Sequence, residues 1–245
     1  MGADEVPHLD WAQRLVADVR PAENAYASHP TYVVWADPAA GRIARNRSVC
    51  SSLVSHLLEQ GYGYTPHDFA SWFGVPVPQA ADYHDTIAAE NGFERIHHVA
   101  NVKPGDLIAI HYAPGSHPTG HVVVVAAPPQ QRSPSEPLGR GSRQYALTII
   151  DSATTGHGPS DTRRAGDGWT QGVGSGEFRL YASDDELITG YAWSTLGVSK
   201  FQDARDRPIA VGRLKLASAP APSGSAASAA QPAVPVPDDA PTDEV

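Results

Sequence analysis

The chain has 245 residues, a length that fits one domain with a sizeable core once a Pro/Ala/Ser-rich end is set aside. Apolar residues make up 41% of the chain and charged residues 18%, which excludes a chain that is disordered throughout. The net charge is −9 with histidine counted neutral, and the basic residues are scattered, so nucleic acid is not an expected partner.

Neither a membrane span nor a targeting segment is expected. No stretch approaches the roughly 20 consecutive apolar residues that a spanning helix requires. The first ten residues, MGADEVPHLD, lack the basic end and the apolar run of a signal peptide. We therefore expect a soluble protein. Its compartment stays open, because a signal peptide can be removed by processing. Its oligomeric state stays open as well.

Helical patterns dominate the first part of the sequence. Apolar spacing predicts a helix over residues 9–19 and a buried helix over 51–60, with Gly61 as its left-handed cap. Two more helices are expected over 67–73 and 79–90, and a short strand over 31–35. Aromatic residues at helical spacing in the third helix, Phe69, Trp72 and Phe73, are read as core, whereas Tyr83, His84 and Asp85 are expected to be exposed cleft or surface residues of unknown role.

Short β-type runs dominate after Gly105. They are 106–112, 121–127, 145–151, 177–181, 188–193 and 208–216. Helices first and an antiparallel sheet afterwards predict an α+β fold. Residues 128–143 are rich in Pro, Gln, Ser and Gly and are expected to form a long exposed loop. We expect a single domain over 1–216 and a disordered, acidic Pro/Ala-rich tail over 217–245.

Cys50 is the only cysteine, so an internal disulfide and a zinc site built from several cysteines are excluded. It directly precedes a predicted helix, where free N–H groups and the helix dipole favour a thiolate. A nucleophile is one interpretation of this placement. The alternative is a small buried hydrophobe, the usual fate of a free cysteine.

His121 and Asp151 each lie at the end of an apolar strand. His121 opens the run Val122–Val125, and Asp151 closes the run 145–150, so neighbouring strands would bring base and carboxylate together. The alternatives are a hydrogen-bonded histidine at the edge of the sheet and an Asp-Ser turn. A zinc site at His111, His117 and His121, with His97 and His98 upstream, is a rival. The prolines and glycines of APGSHPTGH prevent the helix that would align those ligands.

Four segments in order, SVCSSLVSHLL, NVKPGDLIAI, TGHVVVV and IIDSAT, resemble the NlpC-type branch of the papain-like cysteine peptidases and amidases, which is related to the CHAP amidases. The resemblance covers roughly residues 31–152. It implies a papain-like fold in which N-terminal helices pack on a central antiparallel half-barrel. It also implies catalysis by Cys50, His121 and Asp151.

The same resemblance implies hydrolysis of an amide bond, in a peptide or a peptidoglycan-like substrate, without a metal or organic cofactor. A location in the cell envelope or outside the cell would fit the family. Val49 before the cysteine and Ser52 after Ser51 depart from the common Asp and Gly, which leaves the subfamily and substrate open. The Cys50 N–H is expected to donate to the oxyanion, with Tyr32 and Asn46 as candidate partners. An acyltransferase and a catalytically silent binding or scaffolding protein remain alternatives.

Overall fold

The helices lie in the N-terminal part of the chain, as the apolar spacing predicts. The computed structural model describes residues 6–139 and 143–224. Its α-helices over these residues are α1 Pro7–Asp18, α2 Cys50–Tyr62, α3 Pro66–Phe73 and α4 Ala80–Ala88. Three short 3₁₀ segments accompany them, Pro21–Glu23, Pro38–Ala40 and Val99–Asn101.

Strands supply the rest of the regular structure. In chain order they are β1 Asn24–Tyr26, β2 Tyr32–Val34, β3 Arg45–Ser48, β4 Phe93–Ile96, β5 Leu107–His111, β6 Gly120–Val125, β7 Gln130–Arg132, β8 Arg143–Ala153, β9 Arg164–Ala165, β10 Gly168–Trp169, β11 Gly172–Ala182, β12 Ile188–Ala192, β13 Gln202–Asp203 and β14 Ile209–Leu214. The six predicted runs after Gly105 correspond to β5, β6, β8, β11, β12 and β14. The fold is therefore α+β, as predicted.

One large antiparallel sheet organises the molecule. Its strand order is β13-β12-β11-β8-β6-β5-β14-β4, with β7 paired to β8. A small sheet of β1, β3 and β2 and the pair β9 and β10 lie outside it. Leu107, Ala109, Val122 and Val124 of β5 and β6 belong to the same buried cluster as α2 and α4. The alternate residues of these strands form a second apolar cluster.

Strands β6 and β8 are paired over only a short distance. Their ladder consists of Val124 with Ile150 and Val125 with Ile149. The start of β6 and the end of β8 lie beyond this ladder, and that is where His121 and Asp151 are found. The N-terminus of α2 approaches the same region, because α2 packs against both β6 and β8. This end of the sheet is where a cleft can open.

The predicted cap of α2 was wrong by two residues. The helix continues through Gly61 and ends at Tyr62, and Gly63 takes the left-handed conformation with φ 82°. A Cβ at Gly61 would lie 3.1 Å from the His8 backbone N, so this glycine permits the close approach of α1 instead. Helix α3 ends at Gly74, which takes the left-handed conformation with φ 79°.

The predicted loop and tail are partly ordered against the body. Residues 128–143 include β7, and buried Arg179 donates to the carbonyls of Ser135 and Glu136 in this segment. Within the predicted tail, Ser223 donates to Asp68, and the Gly224 N–H donates to the Gly63 carbonyl. The rest of the predicted tail, 225–245, lies outside the described residues, as do 140–142 and 1–5. Over the described part of the chain, no helix has the length and apolarity needed to cross a membrane.

Candidate active site

Cys50 is the first residue of α2 and is 4% exposed. Ser52 stands where the resembled family commonly has glycine. Its Oγ accepts a hydrogen bond from the Val49 N–H, with 3.0 Å between N and Oγ, and so stabilises the start of the helix. Burial alone would raise the pKa of the Cys50 thiol. The charge and hydrogen bond of His121, together with the Val122 N–H, outweigh burial and lower that pKa below its ordinary value.

His121 is the second residue of β6 and follows Gly120, a position at which a larger residue would clash. A Cβ at Gly120 would lie 1.9 Å from the Ile110 carbonyl oxygen across the β5–β6 ladder. Only glycine allows the strand to begin here, which explains the Gly-His pair in the sequence. The edge of Trp193 packs against the imidazole, with ring centroids 5.1 Å apart.

The imidazole of His121 is held between a thiol and a carboxylate. Its Nε2 lies 2.6 Å from Asp151 Oδ2, so Nδ1 is the ring nitrogen left for Cys50. Burial lowers the pKa of His121, but the Cys50 charge, the Asp151 hydrogen bond and the Asp151 charge exceed that effect. The pKa rises to about 10. The lowered pKa of Cys50 and the raised pKa of His121 both favour the ion pair of thiolate and imidazolium.

Asp151 ends the apolar part of β8, and its side chain is fully buried. Besides His121 it contacts His157, whose Nε2 is 2.9 Å from the same Oδ2. Arg163 Nη2 lies 2.9 Å from Oδ1 as an ion pair. Burial would raise the pKa of this carboxyl, but the charges of His157 and Arg163 hold it well below its usual value. Asp151 is thus an anion throughout the physiological range.

The residues that hold Asp151 were not predicted from the sequence. Asp161 accepts from Arg163 Nε at 2.9 Å and from the His157 backbone N–H at 2.8 Å, and it fixes the loop that carries both residues. Two glycines of β11 leave room for this loop. A Cβ at Gly174 would lie 2.5 Å from Arg163 Nε, and one at Gly176 would lie 2.3 Å from Asp161 Oδ2. Alternate glycines within a strand were the available signal.

Of the two predicted oxyanion partners, Asn46 is already committed to other contacts. Asn46 Nδ2 donates to Asn24 Oδ1 at 2.8 Å and to the Ala25 carbonyl at 3.3 Å, so both of its N–H groups are used. Tyr32, the first residue of β2, stays a predicted partner. Tyr26 is a further candidate, because it interacts electrostatically with the site. Burial, followed by the charges of Cys50 and Asp151, raises the pKa of Tyr26 to about 12. The Tyr26 hydroxyl is therefore protonated, and it lies near enough to Cys50 to interact with a charge on the sulfur.

The rival zinc set is divided between two different clusters. His111 lies with His84 and Asp85, whereas His121 lies with Asp151 and His157. In the second cluster both oxygens of the buried Asp151 already have partners: Oδ2 contacts the two histidines at 2.6 and 2.9 Å, and Oδ1 is paired with the cation of Arg163. His97, His98 and His117 are exposed and belong to neither cluster.

Comparison with known proteins gives a relative in a giant virus. The chain is 34% identical over 228 residues to an uncharacterized protein of Acanthamoeba polyphaga mimivirus, and the alignment covers 88% of this chain and 100% of the relative. No family model matches the chain. No solved structure matches it.

Proposed function

The chain belongs to the same family as this mimivirus protein, and we propose that it is a cysteine hydrolase that cleaves an amide bond. The observation that carries the proposal is the placement of His121 between a thiol whose pKa is lowered and a buried carboxylate at 2.6 Å. Nucleophile, base and orienting group are the three parts that covalent acyl transfer requires. The proposal includes a papain-like fold of the NlpC type, with the antiparallel sheet as its half-barrel.

The acylation step uses the thiolate and the imidazolium. Cys50 Sγ would attack the carbonyl carbon of the substrate, and the pair of π electrons would move onto the carbonyl oxygen. The Cys50 N–H, at the first turn of α2, would donate to that oxyanion, and Tyr26 is the candidate for a second donor. Collapse of the intermediate would break the C–N bond as His121 Nδ1–H protonates the leaving amine.

The deacylation step uses the neutral histidine left by the first step. Nδ1 of His121 would take a proton from water, and the resulting hydroxide would attack the thioester carbon. Release of the acid restores the thiolate and the imidazolium. Asp151 keeps Nε2 protonated in both steps, and so it fixes the tautomer that presents Nδ1 to the substrate. If an amine replaces water, the same groups perform acyl transfer.

Peptides and peptidoglycan-like stem peptides are the substrate class that the resemblance implies. Cys50 is the only thiol of the chain, which makes the test simple. We would incubate the protein with peptide amides, including branched and D-residue stem peptides, quench with acid and measure the mass of the intact chain. We expect an acyl adduct on Cys50 and release of the amine, both lost in Cys50→Ser. Release of amine by Cys50→Ser at the parent rate would overturn the proposal.

The burial of Cys50 favours a second candidate, a binding protein with a structural cysteine. At 4% exposure the thiol is accessible to a substrate only through a narrow opening or after a local movement. The two candidates predict different behaviour toward a small electrophile. A structural thiol should be alkylated only on unfolding, whereas the nucleophile of a hydrolase should react in the folded chain at mildly acidic pH.

A further inference from the structure

A second group of chemically competent side chains lies outside the Cys50 site, and we propose that His84, Asp85 and His111 form a binding site for a divalent transition-metal cation of the Zn²⁺ class. His84 and Asp85 are consecutive residues of α4, and His111 is the last residue of β5. The helix packs directly against this strand. The inference holds whether or not Cys50 is a nucleophile.

The three donor atoms lie close enough together to share one ion. Asp85 Oδ1 lies 2.8 Å from His84 Nδ1 and 3.3 Å from His111 Nδ1. All three atoms lie within 4.8 Å of one another. Ligands placed at zinc distances from a tetrahedral ion are separated by about 3.4 Å, so only small side-chain rotations are needed to admit the ion.

The proposed metal site has one buried ligand, His84, and one side that is open to solvent, at Asp85. His84 is 8% exposed and is held by the helix, and its ring contacts that of His111 edge-on, with centroids 5.4 Å apart. The Asp85 side chain is 65% exposed, so solvent reaches the carboxylate. Three protein ligands with one open position are the arrangement in which zinc also retains water or binds an external group.

The donor types determine the class of cation. Two imidazole nitrogens and one carboxylate oxygen suit Zn²⁺, Co²⁺, Ni²⁺ or Cu²⁺, whereas Ca²⁺ and Mg²⁺ prefer oxygen ligands only. The positive charge of Arg95 acts on His84 and disfavours a bound metal cation there. The negative charge of Asp85 compensates for this repulsion. We therefore expect the site to depend strongly on Asp85.

This site is adjacent to the proposed catalytic histidine along the sheet. His111 is paired with Gly120, the residue before His121. The first turn of α4 lies over the same glycine, since a Cβ at Gly120 would be 3.2 Å from the Ala80 Cβ. A bound ion would link α4 to β5 at this point and restrain the start of β6.

The test measures Zn²⁺ binding by calorimetry in the Cys50→Ser background, so that the thiolate cannot act as a ligand. Co²⁺ absorption in the same variant reports the ligand geometry. We expect one Zn²⁺ per chain and a visible Co²⁺ spectrum without a sulfur charge-transfer band. Asp85→Ala and His111→Ala should each weaken binding at least about tenfold, the loss that even an outer-shell change can cause. The matched control is His97→Ala with His98→Ala, which removes two adjacent exposed histidines.

Three outcomes would overturn the proposal. Absence of Zn²⁺ binding to the folded chain would mean that the cluster is a hydrogen-bonded network only. Equal loss in the His97/His98 control would mean that surface histidines bind the ion adventitiously. Retention of binding in His111→Ala with its loss in His157→Gln would move the ion to the cluster around Asp151. Circular dichroism of each variant, with and without Zn²⁺, verifies that the fold is intact.

Discussion

His157 places its Nε2 2.9 Å from Oδ2 of Asp151, the oxygen that His121 contacts from the other side. The other nitrogen of His157 lies 2.8 Å from the Trp193 carbonyl oxygen. Both partner oxygens can accept hydrogen bonds, so each nitrogen of the His157 ring faces an acceptor. A buried carboxylate is thus shared by two histidines, and Arg163 balances its charge from the opposite oxygen.

The first prediction concerns the ionisation of Cys50. The alkylation rate should remain high well below pH 9.0, the ordinary thiol pKa, because His121 lowers the pKa of the thiol. In His121→Ala only burial remains as the main influence, and burial raises that pKa, so the midpoint should move above the ordinary value. Iodoacetamide kinetics from pH 5 to 10 measure both midpoints. Slow, identical kinetics in the two proteins would identify a structural thiol.

The second prediction concerns His157 as a positioning residue. His157→Gln removes a partner whose electrostatic influence lowers the pKa of Asp151, so the thiolate of Cys50 should become less stable and its alkylation midpoint should rise. We also expect the free energy of unfolding to fall by about 1–3 kcal/mol, because a buried polar group loses its partner. The matched control is His56→Gln, since His56 contacts Glu59 at 2.8 Å on α2. Loss of stability without a shift in the midpoint would leave His157 a structural role alone.

The third prediction concerns the glycine before His121. In Gly120→Ala the added Cβ would overlap the Ile110 carbonyl oxygen, so the β5–β6 ladder must shift. We expect a loss of at least about 1–3 kcal/mol in the free energy of unfolding, the range for overpacked interiors. Gly168→Ala is the control, because the nearest atom to its Cβ would be 3.8 Å away. Urea unfolding of both variants measures the difference, and equal stabilities would contradict the steric argument.

The fourth prediction concerns the pH dependence of stability through His8. This histidine of α1 lies between the Tyr62 hydroxyl and the Gly105 carbonyl, and burial lowers its pKa despite Gly105 and Asp10. The unfolded state therefore binds the proton more readily. The stability that His8 contributes is present above pH 6.5, its ordinary pKa, and is lost as the pH falls toward the lowered value.

The variant His8→Gln isolates this contribution, because glutamine can donate to Gly105 but does not titrate. The difference in unfolding free energy between parent and variant should decrease between pH 7.5 and 5. Chemical denaturation at a series of pH values measures it. A difference that is constant over this range would mean that His8 titrates alike in the folded and unfolded states.

The fifth prediction concerns the attachment of residues 217–224. Ser223 donates from its N–H at 3.0 Å and from its hydroxyl at 2.9 Å to Asp68 Oδ2. Ser223→Ala should lower the free energy of unfolding by roughly 1.5–3 kcal/mol, since the acceptor is charged. Ser218→Ala, which removes only a bond to the exposed Lys215 carbonyl, should have a smaller effect. Equal decreases in thermal stability in the two variants would show that the hydrogen bond from the Ser223 hydroxyl to Asp68 adds no more stability than the bond of Ser218.

Local patterns determined much of this protein from the sequence alone. Apolar spacing located α2 and α4, and alternating or continuous apolar runs located β5, β6, β8 and β14, because each pattern must bury one face or both. The same patterns placed Cys50 at a helix start and His121 and Asp151 at strand ends. These are local properties, and they depend on nothing distant in the chain. The roles of the three residues in catalysis remain predictions.

The tertiary structure decided what the neighbours of each residue would be. Asn46 looked available in the sequence, but its side chain is committed to Asn24 and Ala25. His157 and Arg163 lie in a loop without periodicity, so only the pairing of β8 with β11 shows that they reach Asp151. The meeting of His84 with His111 likewise depends on how α4 crosses β5. Such contacts join residues far apart in sequence, and the packing that creates them leaves no periodic signal.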